Sequence, residues 1–336
     1  MADLTHTIPA ELNRPLQFKP IYKEKIWGGK RMQALLNKST GHLPNCGESW
    51  EISGVKGDVS ELAEYPSNLQ QLLELHQGLL TGKRVYEKHG DEFPLLIKFL
   101  DADEDLSVQV HPNDTQARAR HQCLGKTEMW YILHAEPGAE LVVGFENDTL
   151  PEDYVAAVAS GTVMHLLHRE AVQPGDVLYI TAGRIHTIGK GIVLAEIQQS
   201  SDITYRIYDF DRTDGAGNKR ELHTEQALGV LDFKAYSAYK SAYTDKRNQA
   251  VFLAGGEYFH THKLWLNKAH ERNHLTLDSL VIYLCIEGSC KVKAGAGELL
   301  LQKGQTCLVP ACIANVSLEP QGECVLLETY VPAYHA

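Results

Sequence analysis

Leu106-Ser107-Val108-Gln109-Val110-His111-Pro112-Asn113-Asp114 alternates polar and apolar residues and then breaks at a proline. A period of two is that of a half-buried strand, and it puts Gln109 and His111 on one face. A second stretch, Gly125-Lys126-Thr127-Glu128-Met129-Trp130-Tyr131, opens another strand with Glu128 at its mouth and an apolar continuation to Leu133. Farther on, Pro174-Gly175-Asp176-Val177-Leu178-Tyr179-Ile180 leads through Gly183 and Arg184 to His186. Gln109, His111, Glu128 and His186 together offer nitrogen and oxygen donors without thiolate. Such a set suits one divalent ion: zinc first, and nearly as well manganese, iron or cobalt. The pattern predicts a protein that holds a metal to do chemistry.

Outward from these runs the chain is mostly short strand-like segments, at 94–100, 106–110, 129–133, 140–144, 177–180 and 192–198. Gly, Pro, Asn and Asp punctuate them, as in an antiparallel sandwich or barrel. Helical spacing or capping residues mark 30–37, 69–75, 115–121 and 151–160, and the polar, Tyr-rich 237–247 reads as a linker. The last ninety or so residues look like a worn copy of the first half. Gly175 to His186 lies on Gly304 to Asn315, so that His186 falls on Asn315. Trp130 to Leu133 lies on Ile282 to Cys285, which brings Glu128 near Leu280. We read two β-barrels from one ancestral unit, 1–245 with the metal ligands and short helical additions, and 246–336 without them.

With 336 residues and a formal charge of −11, the chain lacks the basic balance of a nucleic-acid or membrane-surface binder. Residues 1–17 contain no apolar leader and no run approaches a membrane span, so a cytoplasmic protein is expected. The seven cysteines form no C-x-x-C pair, and Cys285, Cys290, Cys307, Cys312 and Cys324 sit among Val, Leu and Ile. They read as reduced thiols packed as small hydrophobes. The acidic run Asp101, Asp103, Glu104 and Asp105 lacks the Gly and Glu of a calcium loop and reads as a solvated hairpin turn. His260 and His262 share a strand face, but their repeat partners Leu280 and Asn315 do not suit a second metal.

The 106–114 and 125–130 runs, with Ser201-Asp202-Ile203-Thr204-Tyr205-Arg206 and Ile26-Trp27-Gly28-Gly29, resemble the type I mannose-6-phosphate isomerases, or phosphomannose isomerases. The likeness runs from about residue 15 to 332 and is closest to the short bacterial form. It implies a mainly β chain of two cupin (jelly-roll) barrels, the second degenerate. It also implies a metal-dependent aldose–ketose isomerase acting on a sugar phosphate through an enediol. Family correspondence gives His111, Glu128, His186 and Gln109 as the metal set, and Lys126, Glu196, Asp202 and Arg206 as the catalytic set. Arg206, permanently charged, suits an enediolate or an anionic substrate. Glu196 or Asp202 could carry the proton. Lys126 could be an acid, a base or a phosphate contact. Trp27 could stack on the sugar, and Trp27, Lys126 and Arg206 are the expected substrate contacts.

The expected partners are a small sugar phosphate and, in assembly, either none or one copy of the chain. Two alternatives stand beside this reading: an isomerase for another sugar phosphate, and a metal-containing cupin that binds sugar phosphate as a regulator without turnover. The retained Lys126, Glu196, Asp202 and Arg206 speak against the second, because a binding module needs no proton carrier.

Overall fold

Alternation in the sequence becomes antiparallel pairing in the structure, a computed structural model that describes residues 8–213 and 217–333. The chain forms two compact units. One consists of Ile21–Trp50 and Leu95–Ala242. Its strands are β1 (Ile21–Gly29), β2 (Cys46–Ile52), β3 (Leu95–Ala102), β4 (Val108–Val110), β5 (Glu128–Ala135) and β6 (Glu140–Phe145). They continue with β7 (Leu167–Ala171), β8 (Val177–Ile180), β9 (His186–Thr187), β10 (Ile192–Gln199) and β11 (Tyr205–Tyr208). A six-stranded sheet runs β1-β2-β3-β10-β5-β8, and a five-stranded sheet runs β11-β4-β9-β6-β7.

Trp130, Ile132, Leu178, Ile180 and Leu194 of the first sheet pack with Leu141 and Val143 of the second. Burying each such side chain stabilises by about 1.5–3 kcal/mol. The alternate residue Val142 packs instead with Val108, Val110 and, from the helix Pro151–Ala159, Tyr154 and Ala157.

The other unit comprises residues 8–20, 51–94 and 243–333. Its strands are β12 (Ala250–Gly255), β13 (His260–Leu266), β14 (His270–Asn273), β15 (Val281–Glu287), β16 (Ser289–Ala294), β17 (Gly297–Gln302), β18 (Thr306–Val309), β19 (Asn315–Pro320) and β20 (Cys324–Tyr330). They form the sheets β12-β13-β20-β15-β18 and β14-β19-β16-β17, with Leu264, Tyr283, Leu326, Val292 and Leu318 in the core between them. All seven cysteines are free, and Cys285, Cys290, Cys307 and Cys324 are buried in or against this core.

A single cut at 245 does not describe the chain, although the boundary at Tyr243 lies within the expected 237–247 linker. Residues 8–20 and 51–94 group with the C-terminal strands because their backbone groups are bonded there. Leu16 bridges Leu308, and Asp278 caps the helix Lys83–His89 by accepting from Lys83 N at 2.8 Å and Arg84 N at 3.0 Å. Gly82, at φ +99°, would place a Cβ 2.1 Å from Asp278 O, so only glycine lets the cap form. The acidic turn is also corrected: Asp101 is fully buried, accepting from Arg31 N at 2.5 Å and Arg31 Nη1 at 2.6 Å.

The repeat holds, one residue out of the expected register. Trp130 faces Leu178 across β5 and β8, while Tyr283, not Ile282, faces Cys307 across β15 and β18. Glu128, opposite Ile180, therefore corresponds to Val281, opposite Val309, rather than to Leu280. Among the described residues no helix is long and apolar enough to cross a membrane.

Candidate metal centre and substrate cavity

Three of the predicted ligands converge. Ligand atoms of His111, Glu128 and His186 lie within 4.8 Å of one another, and all three side chains are buried. His111 leaves β4 just before Pro112, Glu128 opens β5 and His186 opens β9, so the group is set by three strand ends. Each imidazole is oriented from behind: His111 Nδ1 donates to Ile203 O at 2.9 Å and His186 Nδ1 to Arg184 O at 2.8 Å. Those bonds fix the proton on Nδ1 and leave Nε2 as a bare acceptor, the usual support of a metal-binding histidine.

The bare nitrogens approach a carboxylate. His186 Nε2 is 3.3 Å from Glu128 Oε1, and His111 Nε2 is 3.6 Å from Oε2. Acceptors facing acceptors repel unless a cation lies among them, and His111 Nε2 and Glu128 Oε1 have no hydrogen-bond donor. The residues fit a divalent ion. Burial depresses both imidazoles, His186 to about 3, which keeps them neutral and ligand-ready. Burial also pushes the Glu128 carboxyl up despite Lys126, a conflict that a bound dication relieves. Gln109 lies beside the group, its Nε2 at 3.3 Å from His186 Nε2. Ligation through its oxygen requires the amide to turn over.

A cavity of about 470 Å³ adjoins this centre, lined in part by Trp27, Gln109, Lys126, Glu196, Asp202 and Arg206. Lys126 Nζ pairs with Glu128 Oε2 at 2.9 Å. Burial opposes its charge, but Glu128, Glu196 and Glu48 outweigh burial and raise its pKa, so Lys126 is an ammonium rather than a base. Its position depends on Gly125, where a Cβ would lie 2.5 Å from Asn113 C and break the Lys126 N–Pro112 O bond of 3.0 Å. Glu196 is buried, accepts from Trp130 Nε1 at 2.9 Å and is ion-paired with Lys98 Nζ at 3.1 Å. Burial would raise this carboxyl, yet Lys98, Lys126 and Trp130 hold it well below the usual carboxylate range. Asp202 is exposed at the rim and forms no ion pair among the described residues. Trp27 both lines the cavity and packs into the core beside Leu100 and Leu106.

Glu48, Lys98, Arg220 and His223 also line the cavity and were not singled out from sequence. Lys98 had a readable signal: one lysine inside the apolar run 95–100 must either break the strand or find a buried acid. It finds Glu196, directly opposite across β3 and β10.

Sandwiched sheets around a His/Glu/His centre define a metal-site cupin. The sequence model for the phosphomannose isomerase type I catalytic domain matches residues 16–144, which include Gln109, His111, Lys126 and Glu128, and the mannose-6-phosphate isomerase cupin domain matches 248–329. The chain is 35% identical to mannose-6-phosphate isomerase ManA of Bacillus subtilis, over 93% of its own length and 98% of the relative's. It is 35% identical to mannose-6-phosphate isomerase of Streptococcus mutans, over 90% and 94%. The crystal structure of the Bacillus subtilis mannose 6-phosphate isomerase superposes with a TM-score of 0.84 at 33% identity, covering 94% of this chain and 99% of that one. The chain belongs to the type I phosphomannose isomerase family, whose members are metal-dependent.

Proposed function

We propose that the chain interconverts mannose 6-phosphate and fructose 6-phosphate by moving a proton between C1 and C2 through an enediol. The observation that carries this reading is the placement of the buried His111/Glu128/His186 group beside a cavity that also holds Lys126, Glu196, Asp202 and Arg206. His111, Glu128, His186 and, after its amide turns, Gln109 would hold the ion, with zinc first on donor chemistry. A bound dication supplies Lewis acidity toward the substrate's hydroxyl and carbonyl oxygens.

The chain's own residues do the rest. Lys126, charged and almost wholly buried, donates to a substrate oxygen on which negative charge develops. Arg206, across β4 from the metal side, adds a permanent cation for the enediolate or the substrate's anionic group. Asp202 carries the proton, since its carboxylate is free of ion pairs among the described residues while Glu196 accepts from Trp130 and is ion-paired with Lys98. Glu196 is then a positioning residue that orders Lys98 and Trp130. Trp27 supplies an apolar wall for the sugar.

A coupled assay on metal-stripped, folded protein tests this, with mannose 6-phosphate and added zinc, manganese or cobalt. Fructose 6-phosphate formed only with metal supports the reading. No turnover with any of the three, while the ions still bind, would sink it.

A further inference from the structure

The cavity wall is charged unevenly. Each lysine that lines the cavity has its own acid: Lys25 with Glu48 at 3.2 Å, Lys98 with Glu196 at 3.1 Å, Lys126 with Glu128 at 2.9 Å. On β11 and the segment that follows, two guanidiniums share one acid and a third has none. Arg212 Nη2 donates to Asp209 Oδ1 at 2.6 Å, and Arg220 donates to the same carboxylate through Nε at 2.7 Å and through Nη2. Arg206 has no carboxylate partner among the described residues; its Nη1 donates to Glu221 O at 2.8 Å, and its buried Nε finds no acceptor. Asp202 stands on the same wall but pairs with none of the three. The crowding shows in Arg206, whose pKa is lowered first by burial and next by Arg220, in spite of Asp209.

His223 adds a fixed donor. Its backbone N donates to Arg206 O at 2.7 Å, and Arg206 N donates to its Nδ1 at 3.0 Å. With Nδ1 serving as acceptor, the ring proton of the neutral imidazole sits on Nε2. Arg206, Arg220 and His223 all line the cavity. Arg220 spends Nε and Nη2 on Asp209, so Nη1 has no acceptor among the described residues.

An excess of positive charge in a cavity, with guanidinium and imidazole donors left over, calls for a doubly charged oxyanion. We propose that Arg220 and His223, next to Arg206 and braced by Asp209, form the subsite for the phosphate group of the substrate. The proposal rests on the isomerase reading only for what the phosphate is attached to. The paired lysine side of the wall, including Lys25, takes no part in phosphate binding.

The test uses the full chain with inorganic phosphate as calorimetric probe, alongside steady-state kinetics on mannose 6-phosphate. Arg220→Gln should weaken phosphate binding and raise KM by about 10- to 100-fold, the loss of a charged hydrogen bond, with kcat nearly held. Arg220→Lys, keeping the charge, should recover part of both. Should Arg220→Gln not fold, His223→Gln leaves the Asp209 pairs intact and should weaken the same two quantities by about 3- to 10-fold. The subsite is overturned if these variants bind phosphate like wild type, or if Lys25→Gln loses phosphate binding instead. Loss of phosphate binding in the variants upholds it even where the wild-type chain does not turn over mannose 6-phosphate, so the failure of the isomerase reading is seen separately.

Discussion

Trp130 and Glu196 in one unit, and Tyr283 and Glu328 in the other, occupy matching register positions on matching strands. In both pairs the aromatic side chain donates to the carboxylate, Trp130 Nε1 at 2.9 Å and Tyr283 OH at 2.8 Å. What surrounds the two acids differs. Glu196 takes Lys98 from the neighbouring strand, whereas at that place Glu328 has His262 and is instead gripped by Arg272 at 2.8 and 2.6 Å, with His274 Nε2 at 3.4 Å. The ligand positions differ more. Gln109 faces His186 as Asn273 faces Asn315, and Glu128 becomes Val281. Asn273 Nδ2 donates to Asn315 Oδ1 at 2.8 Å and no carboxylate stands at Val281, whereas the first unit leaves His111 Nε2 and Glu128 Oε1 without a hydrogen-bond partner. One plan thus yields a centre that needs a cation and a counterpart that is complete without one.

Breaking the comparison at its centre should have the largest effect. His186→Ala should lower turnover by at least about 1,000-fold and release bound metal, whereas Asn315→Ala should stay near wild type. A large rate loss in folded Asn315→Ala, measured beside its metal content, would make the second unit catalytic. Arg206→Ala should retain metal by elemental analysis and lose about 100-fold in kcat/KM. Metal loss there would contradict its assignment to substrate.

The two acids can be separated by stability. Glu328→Gln strands Arg272 and should destabilise the protein by about 2–4 kcal/mol, read by denaturant titration, with activity per folded molecule unchanged. Burial alone would raise the Glu328 carboxyl, but the bonds from His274 and Arg272 hold it down to about 2. Because its folded value lies below the unfolded one of about 4.3, its stabilisation is complete above that pH and is lost as pH falls toward 2. The variant should flatten that acid limb. The smallest contrast is between the amides: Gln109→Ala should weaken metal binding by about tenfold, and Asn273→Ala should shift stability by no more than about 1 kcal/mol.

The candidate ligands were legible because Gln109 and His111 share an alternating run, Glu128 opens an apolar strand, and the donor types have one obvious common use. Glu196, Asp202 and Arg206 came from family likeness; nothing in the period of 192–208 marks them. Lys98 and Glu48 were missed because a buried charge is explained only by its partner, and Lys98 meets Glu196, far away in sequence, through strand register. Asp101 was misread for the same reason, its partner Arg31 lying 70 residues away. The repeat was visible, but turn glycines fix an alignment only to within a residue, and the cross-strand pairs of Tyr283 were needed to choose Val281. The grouping of 51–94 with the C-terminal strands depends on bonds such as those of Asp278, which leave no mark on local pattern.

Gln109 stands opposite His186 on one side of β4 and opposite Arg206 on the other. Metal ligand and guanidinium are therefore anchored two strand spacings apart, about 9.6 Å, a length fixed by backbone pairing. Side-chain substitutions can blunt either end of this gauge but cannot change its span. Under the proposed assignments, the sheet itself would measure a substrate from its reacting carbons to its anionic terminus.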